Sequence, residues 1–329
     1  MTDPDAFNTK LIILMPLYND WGALSILLPG LERELNAHGL RAEILLVDDG
    51  STLSVPPILG ENFYTAIQSV DILSLRRNLG HQRAIAVGLS YIEANRPCQA
   101  VVVMDCDGED DPRDVPRLVR ECFANEGQKI IFAARTRRTE SLAFKCFYYL
   151  YRQAHFLLTG VKVRVGNFSV IPWLVLKRLV AVSELWNHYA AAVYKARLPL
   201  ALLPTQRGIR LEGRSHMNLV ALVVHGLSAM AVFGDRIGVR LLIVISAGMV
   251  LAAAALMGVV GIRVFTNLAI PGWATYASGI LLVILIQMLL VILVFAFGIL
   301  SARDSASFIP GRDYVYLTGG VQRVYGKDR

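Results

Sequence analysis

Charge is what this 329-residue sequence runs short of, and the shortage is local. Charged residues make up 18% of the chain, against about a quarter in an ordinary soluble protein. They nearly vanish after residue 216. Cysteine is scarce as well. Cys98, Cys106, Cys122 and Cys146 show neither metal-ligand nor disulfide spacing, which suits a reducing compartment. The opening "MTDPDAFNTK" is polar and acidic and lacks the apolar core of a secretory signal. The domain that follows is therefore expected to stay on the side of the membrane where it is made. There is no internal repeat and no low-complexity tract. A known nucleic-acid motif and aromatic–basic interleaving are also missing. The net charge of +7 thus points to an anionic membrane surface or to phosphate ligands rather than to nucleic acid.

What is present falls into two parts. Over residues 10–135, apolar runs of strand type alternate with amphipathic stretches of helix type. The strand signals are "LIILMPLY", "AEILLVDDGS", "DILSLRRN", "QAVVVMDCD" and "KIIFAAR". Such alternation predicts an α/β fold with a mostly parallel sheet covered on both faces. Ligands of such sheets bind beyond the carboxyl ends of the strands. Asp48, Asp49, Asp105, Asp107 and Arg135 all fall at those ends.

The second part is apolar. Leu241–Ile262 carries no charge, and neither does Val264–Ala302, whose best spanning stretch is Ala277–Leu300 after a turn at Pro271-Gly272-Trp273. About 20 apolar residues cross a bilayer, so a two-helix membrane hairpin is expected, against the alternative of a helical hairpin buried in a soluble core. Arg303, Arg312, Arg323, Lys327 and Arg329 follow it, which predicts both flanks to be cytoplasmic. The stretch before the first run, with His216, Asn218, His225, Ser228 and Asp235 among apolar residues, reads equally as an interfacial helix or as a helix packed on the preceding domain. "RDYVYLTGG" and "VQRVYG" read as a small hairpin turned at Gly319-Gly320. The expected division is 1–212, a cytoplasmic catalytic domain; 213–236, an interfacial helix; 237–302, the membrane hairpin; and 303–329, a cytoplasmic tail.

Five carboxylates crowd into seven positions in "DCDGEDD", residues 105–111. Like charges this close call for a cation. Alternate residues of a strand point to one side, so Asp105 and Asp107 are expected to face the crevice together, with Glu109 within reach. Hard oxygen ligands suit Mg²⁺ or Mn²⁺, with positions left for phosphate oxygens. Asp110, Asp111 and Asp114 are explained as well by the N-terminus of a following helix.

"PLYND", "LVDDGS", "RRNLGHQRAIAVGL" and "DCDGEDDP" resemble, in order and spacing, the motifs of family 2 glycosyltransferases with a GT-A fold. With the two apolar helices, the chain resembles the polyprenyl-phosphate glycosyltransferases over residues 10–300. That group includes dolichol-phosphate mannosyltransferase and bactoprenol glucosyltransferases. The resemblance implies a Rossmann-like GT-A domain that moves a sugar, with inversion, from a UDP- or GDP-linked donor to a polyprenyl phosphate such as undecaprenyl phosphate. The expected location is the cytoplasmic face of a bacterial inner membrane, and a homo-oligomer is left open. By resemblance, Pro16, Tyr18, Asp48 and Asp49 line the base and ribose, and Asn78 and Gly80 lie near the donor. Asp105 and Asp107 act in catalysis with Arg135, which meets phosphate. Arg207, Arg210 and Ser215 complete the acceptor-phosphate site with Arg135.

Plainer readings stand beside these. Asp48-Asp49-Gly50-Ser51 is also ordinary turn chemistry. His81 reads as structural, and Arg207 with Arg210 also suits a positive membrane anchor.

The chain departs from the family pattern at named positions. Asn167 and Ser169 stand in "GNFS" where the bactoprenol enzymes have Gly-Asp-Phe-Arg, and His216 and Met217 replace a Lys-Tyr pair. An amide is no general base. A lipid phosphate needs none, whereas a hydroxyl acceptor does, and Asp110, Asp111, Glu184 and His188 are the candidates for that case. Asn167 and His216 therefore keep open a lipid-hydroxyl acceptor (a glycerolipid or sphingolipid), and a non-catalytic nucleotide-sugar-binding scaffold is the third reading. A processive synthase is disfavoured because its Gln-x-x-Arg-Trp motif is missing.

Overall fold

The computed structural model describes residues 10–56, 64–135, 153–161, 165–212, 219–266, 270–304 and 308–326. Two compact units emerge. One comprises Met1–Tyr149, Val161–Val232 and Phe308–Arg329, the other Leu150–Gly160 and Phe233–Ser307.

The first unit is built on an eight-stranded sheet. Strands β1 (Lys10–Leu17), β2 (Arg41–Asp48), β3 (Ile67–Leu75) and β4 (Ala100–Val103) are followed by β5 (Ile130–Arg135), β6 (Ser169–Pro172), β7 (Leu200–Thr205) and β8 (Thr318–Tyr325). Their spatial order is β7-β5-β6-β4-β1-β2-β3-β8. β1 runs parallel to β2 and β4, β2 to β3, and β5 to β7, while β6 and β8 are antiparallel to their neighbours. The expected α/β class and mostly parallel sheet are thus what the chain forms.

β1 is buried at seven of its eight positions, as a central strand covered on both faces must be. Its odd-numbered Leu11, Ile13 and Met15 pack with Leu24, Leu28, Leu31 and Leu35 of α1 (Trp21–Ala37) and with α3 (Val115–Ala124). Its even-numbered Ile12 and Leu14 face α2 (His81–Asn95), α4 (Trp173–Leu179) and α5 (Tyr189–Lys195). α1 ends where Gly39 turns to φ +64°, a backbone that glycine adopts without strain. Gly88 lets α2 settle onto the sheet, since a Cβ there would lie 2.5 Å from Leu14 Cδ1 and 2.7 Å from Val47 Cγ2. The chain leaves β1 toward β2 on one side and returns to β4 on the other. That reversal opens a crevice at the carboxyl ends of β1 and β4.

One strand was missed in the sequence and one expectation changes. "GNFSVIP" contributes an antiparallel strand, β6, between β4 and β5. The C-terminal segment is no hairpin of its own. Gly319 and Gly320 lie within β8, which pairs along β3 as an edge of the main sheet. The tail therefore belongs to the first unit rather than forming a separate region after residue 302. Arg323 Nε of β8 donates to Asp71 Oδ1 at 2.8 Å, and Arg96 Nη1 donates to Asp71 Oδ2 at 2.6 Å. The two guanidiniums hold the Asp71 carboxyl below its usual pKa against the opposing effect of burial, which is the largest single influence.

The second unit contains α7 (Gly234–Phe265) and α8 (Trp273–Asp304), each of 32 residues. Among the described residues these are the two helices long and apolar enough to cross a membrane, over Gly234–Phe265 and Trp273–Ser301. None of their most apolar stretch is buried, so they are not the core of a soluble hairpin. They pair through small residues. A Cβ on Gly238 would meet Ile299 at 2.8 Å, and one on Gly248 would meet Met288 Cε at 2.8 Å, the close approach that helices in lipid favour. α6 (Leu219–Ala231) precedes them, within the expected 213–236 stretch.

Candidate active site

Turn chemistry brings three loops together at the carboxyl ends of β1, β2 and β3. Asn19, at φ +58°, follows β1. Its Oδ1 accepts the N–H groups of Thr52 and Leu53 at 2.9 and 3.0 Å, and its own N–H donates to Ser51 Oγ at 2.9 Å. Asp48 Oδ1 accepts from Ser51 N at 2.9 Å and leaves the half-buried carboxyl at the crevice. Asp49 is only 3% exposed. Its two oxygens accept Leu79 N–H at 2.6 Å and Gly80 N–H at 2.8 Å. Burial is the chief cause of its raised pKa, opposed by those two bonds. Asp49 was expected beside the nucleotide. It instead holds the loop that starts α2. Gly80 likewise brings its backbone against Asp49 at φ +91°. Tyr18 is exposed, and the Pro16 carbonyl accepts from Cys106 Sγ at 3.5 Å.

The acidic loop follows β4. Asp110 is buried and accepts Asp105 N–H at 2.9 Å. Asp107 Oδ1 accepts Glu109 N–H at 2.9 Å across Gly108, whose φ of +87° closes the turn. This folding turns Asp105, Asp107 and Glu109 toward basic partners. His81 Nε2 lies 3.3 Å from Asp105 Oδ1. Arg210 Nη1 donates to Asp107 Oδ2 at 2.9 Å and its Nη2 to Asp20 Oδ1 at 2.8 Å. Arg207 Nε donates to Glu109 Oε2 at 3.0 Å. Backbone bonds fix the register: Gly208 N–H to the Glu109 carbonyl and Leu211 N–H to the Asp107 carbonyl, both 2.9 Å. Burial, then repulsion from Asp105 and Glu109, raises the pKa of Asp107 although its Glu109 N–H bond and Arg210 oppose this.

Among the described residues, no three His, Cys, Asp or Glu side chains stand ready around one point as a metal site. The donor set nonetheless suits a hard cation. The three expected metal ligands are carboxylates on one turn, and each already holds a positive or protonatable group. Arg207 and Arg210, expected on the acceptor phosphate, occupy that role in this structure.

His81 has two competing contacts. Burial disfavours its charged form, but Asp105, then Asp110 and Asp107, favour it, and the sum raises its pKa. Its Nε2 also lies 2.9 Å from Asn167 Nδ2, a contact that needs a lone pair on the ring. Neutralising Asp105 removes the foremost pull toward the charged ring.

Residues 12–171, a little under half of the chain, match the model "Glycosyl transferase family 2". That segment is therefore similar to glycosyl transferase family 2. Its sequence is 30% identical over 133 residues to undecaprenyl-phosphate 4-deoxy-4-formamido-L-arabinose transferase of Klebsiella pneumoniae (strain 342), covering 40% of this chain and 39% of that one. The match thus spans about two-fifths of that relative's length. Across 289 residues the chain is 25% identical to the uncharacterized glycosyltransferase YkcC of Bacillus subtilis (strain 168), covering 83% of this chain and 85% of the other. Glucosyl-3-phosphoglycerate synthase from Mycobacterium tuberculosis, solved in complex with Mn²⁺ and UDP-glucose, shares the fold. The TM-score is 0.51 at 14% identity, over 71% of this chain and 80% of that one.

Pro16, Tyr18, Asp48, Asp105, Asp107 and Glu109 lie at or just beyond the carboxyl ends of β1, β2 and β4, and Arg207 and Arg210, in the segment after β7, reach Glu109 and Asp107. Arg135 ends β5 in the same sheet. Asn78 lies beside Gly50, where a Cβ would be 2.9 Å from the Asn78 nitrogen. Ser215 lies outside the described residues, as do Gly213, His216 and Met217. The four candidate bases have structural bonds. Asp110 accepts Asp105 N–H, Asp111 accepts Arg113 N–H at 2.9 Å, Glu184 pairs with Lys195 at 3.0 Å, and His188 Nδ1 accepts Ala191 N–H at 3.4 Å.

Sequence reasoning missed Asn19, Asp20 and Gln82. The first two end the "PLYND" motif, and a turn-forming Asn-Asp pair at a strand end was the available signal. Gln82 gave no signal, because its partners lie 85 and 107 positions away.

Proposed function

We propose that this chain is a membrane-anchored, inverting glycosyltransferase that moves a sugar from a nucleotide sugar to a polyprenyl phosphate. The observation that carries this reading is the meeting of Asp107 and Glu109 with Arg210 and Arg207. Carboxylates that suit a hard cation and two guanidiniums that suit phosphate are thereby set side by side.

Asp48, with Pro16 and Tyr18, would take the base and ribose. Asp105, Asp107 and Glu109 would hold Mg²⁺ or Mn²⁺, which when bound supplies positive charge for the donor diphosphate. Arg207 and Arg210, released from their carboxylates, would bind the acceptor phosphate together with Arg135 and Ser215. An oxygen of that phosphate forms a bond to the anomeric carbon as the bond from that carbon to the diphosphate oxygen breaks. The diphosphate leaves with the electron pair, and the configuration inverts. No proton is transferred, which agrees with the structural engagement of Asp110, Asp111, Glu184 and His188.

The location also follows from chain order. Val161–Val232 and Phe308–Arg329 flank the two apolar helices in sequence and belong to one unit. A crossing by α7 and a return by α8 leaves both flanks on one side, as a hairpin requires, and the basic tail favours the cytoplasmic side. The preceding α6 would guide the lipid along the membrane surface.

The test uses the full chain in lipid nanodiscs with Mn²⁺ and radiolabelled UDP- and GDP-sugars. The acceptors are undecaprenyl phosphate and total lipid stripped of polyprenyl phosphates. Label on undecaprenyl phosphate, lost with EDTA, is the expected result. Label only on the stripped lipids would overturn the choice of acceptor.

A further inference from the structure

Asp20 stands where a helix cap belongs and does not cap. It directly precedes α1, and Leu24 N–H donates to its carbonyl at 3.1 Å. An aspartate in this position ordinarily turns its carboxylate onto the first free N–H groups of the helix. Here the side chain makes no capping bond. Its Oδ1 instead accepts Arg210 Nη2 at 2.8 Å, across 190 positions of chain. A Cβ on Gly22 would collide with the Glu212 carboxyl, so the first turn of α1 is bare where Glu212 lies against it.

The two arginines of this segment are held in different ways. Arg210 sets three nitrogens on three partners. Nη1 donates to Asp107 Oδ2 at 2.9 Å, Nη2 to Asp20, and Nε to the Glu212 carbonyl at 3.1 Å. Arg207 turns both Nε and Nη2 to one carboxyl, that of Glu109. Among the described residues its side chain has no second partner. The Arg210 side chain is 18% exposed and that of Arg207 43%, so water and salt loosen the Arg207 pair more. If Glu109 turns to a cation, Arg207 loses all that holds its side chain. If Asp107 does so, Arg210 loses the partner of Nη1 alone. A guanidinium is planar and rigid, so the edge still bound through Nε and Nη2 fixes where Nη1 points. Both bonds are needed for that, because a guanidinium held by the Glu212 carbonyl alone can turn about its one contact.

We infer that Asp20 is a positioning residue: it keeps the Arg210 guanidinium in place, with Nη1 presented to the acceptor phosphate, after Asp107 has given up its bond. This rests on the polyprenyl-phosphate reading and deepens it, by dividing the two arginines into one that is held and one that follows the phosphate. The cap that α1 forgoes is the structural sign of that role. A carboxylate beside Arg210 leaves the other donors of the guanidinium for phosphate, since five N–H groups serve a single charge.

The experiment uses the full chain in lipid nanodiscs with Mn²⁺ and the nucleotide it binds, UDP or GDP. It reads the binding of radiolabelled farnesyl phosphate, with farnesol and empty nanodiscs as controls, and nucleotide binding separately. Asp20→Ala should weaken farnesyl phosphate binding about tenfold, the worth of one charge-assisted bond, and leave nucleotide binding within about threefold. Asp20→Glu, which keeps the carboxylate, should restore most of the loss. A double-mutant cycle separates positioning from structure. Adding Asp20→Ala to Arg210→Ala should cost nothing further, because the group it positions is gone, whereas adding it to Arg207→Ala should still cost about tenfold. A merely structural Asp20 would cost the same in both. Should Asp20→Ala fail to fold, as judged by its melting temperature, Asp20→Asn goes through the same cycle. A folded Asp20→Ala or Asp20→Asn protein that binds farnesyl phosphate as the wild type does, or that loses as much beside Arg210→Ala as beside Arg207→Ala, overturns the inference and leaves the proposed function standing. A wild-type chain that binds farnesyl phosphate no more tightly than farnesol overturns both.

Discussion

Arg210 is bound to Asp107, Nη1 to Oδ2 at 2.9 Å, so the second carboxylate of the Asp-x-Asp pair is held by a guanidinium. A divalent cation at Asp107 and this bond compete for the same oxygen. Arg210→Ala should therefore bind Mn²⁺ several-fold more tightly than the wild type while losing at least tenfold in transfer, because the acceptor phosphate loses a partner. Titration of free Mn²⁺ by electron paramagnetic resonance checks the first part. Equal Mn²⁺ affinity in the two proteins would show that Arg210 and the metal do not compete.

The segment carrying both arginines is held by its backbone at Gly208. A Cβ there would collide with the carbonyl oxygen of Gly108, so Gly208→Ala cannot keep the Gly208 N–H bond to Glu109. The expected outcome is a fold that melts near the wild-type temperature with transfer reduced by at least tenfold. Circular dichroism on heating, together with the lipid assay, separates that outcome from general unfolding.

Asp71 ties β8 to the sheet through Arg323 and Arg96. Its pKa in the folded protein is below the ordinary carboxylate value. The stability it adds is thus complete above a pH of about 4, the unfolded pKa, and is lost as pH falls through the lower folded value. Asp71→Asn should remove about 3 kcal/mol at neutral pH, as expected for breaking a buried ion pair from one side. Hydrogen exchange at β8 amides gives the readout. β8 should exchange faster in Asp71→Asn at pH 7, and in wild type it should loosen below pH 4.

Gly88 brings α2 close to β1 and β2, and α2 begins at His81 and Gln82. Gly88→Ala is expected to cost about 1–3 kcal/mol through overpacking against Leu14 and Val47. The midpoint of urea unfolding tests this, and an unchanged midpoint would mean that the helix shifts freely.

The parts of the molecule legible in the sequence were those with short periods. β1 and α1 announced themselves through apolar spacing and a closing Gly39, and the two 32-residue helices through missing charge. Asp105, Asp107 and Glu109 were legible as a cluster because they share one turn. Arg207 and Arg210 were named through the resemblance, but their pairing with Glu109 and Asp107 was not legible, since they lie about a hundred residues further along the chain. Asp49 shows the opposite case. Its position at a strand end suggested a ligand, but burial and two backbone bonds make it a loop anchor. β8 was misread because two glycines suggest a turn, whereas here they lie in an edge strand. Pairing across 252 positions, as between Arg323 and Asp71, leaves no local trace.

That last pairing has a consequence for how the protein is made. β8 follows both apolar helices in the chain, so its partner β3 has an unpaired margin until those helices and β8 itself have been synthesised. During that interval the nascent sheet presents main-chain donors and acceptors to any extended segment nearby. Completion of the sheet therefore waits on the apolar helices: a chain interrupted within them would carry every residue up to Arg210 and still lack β8.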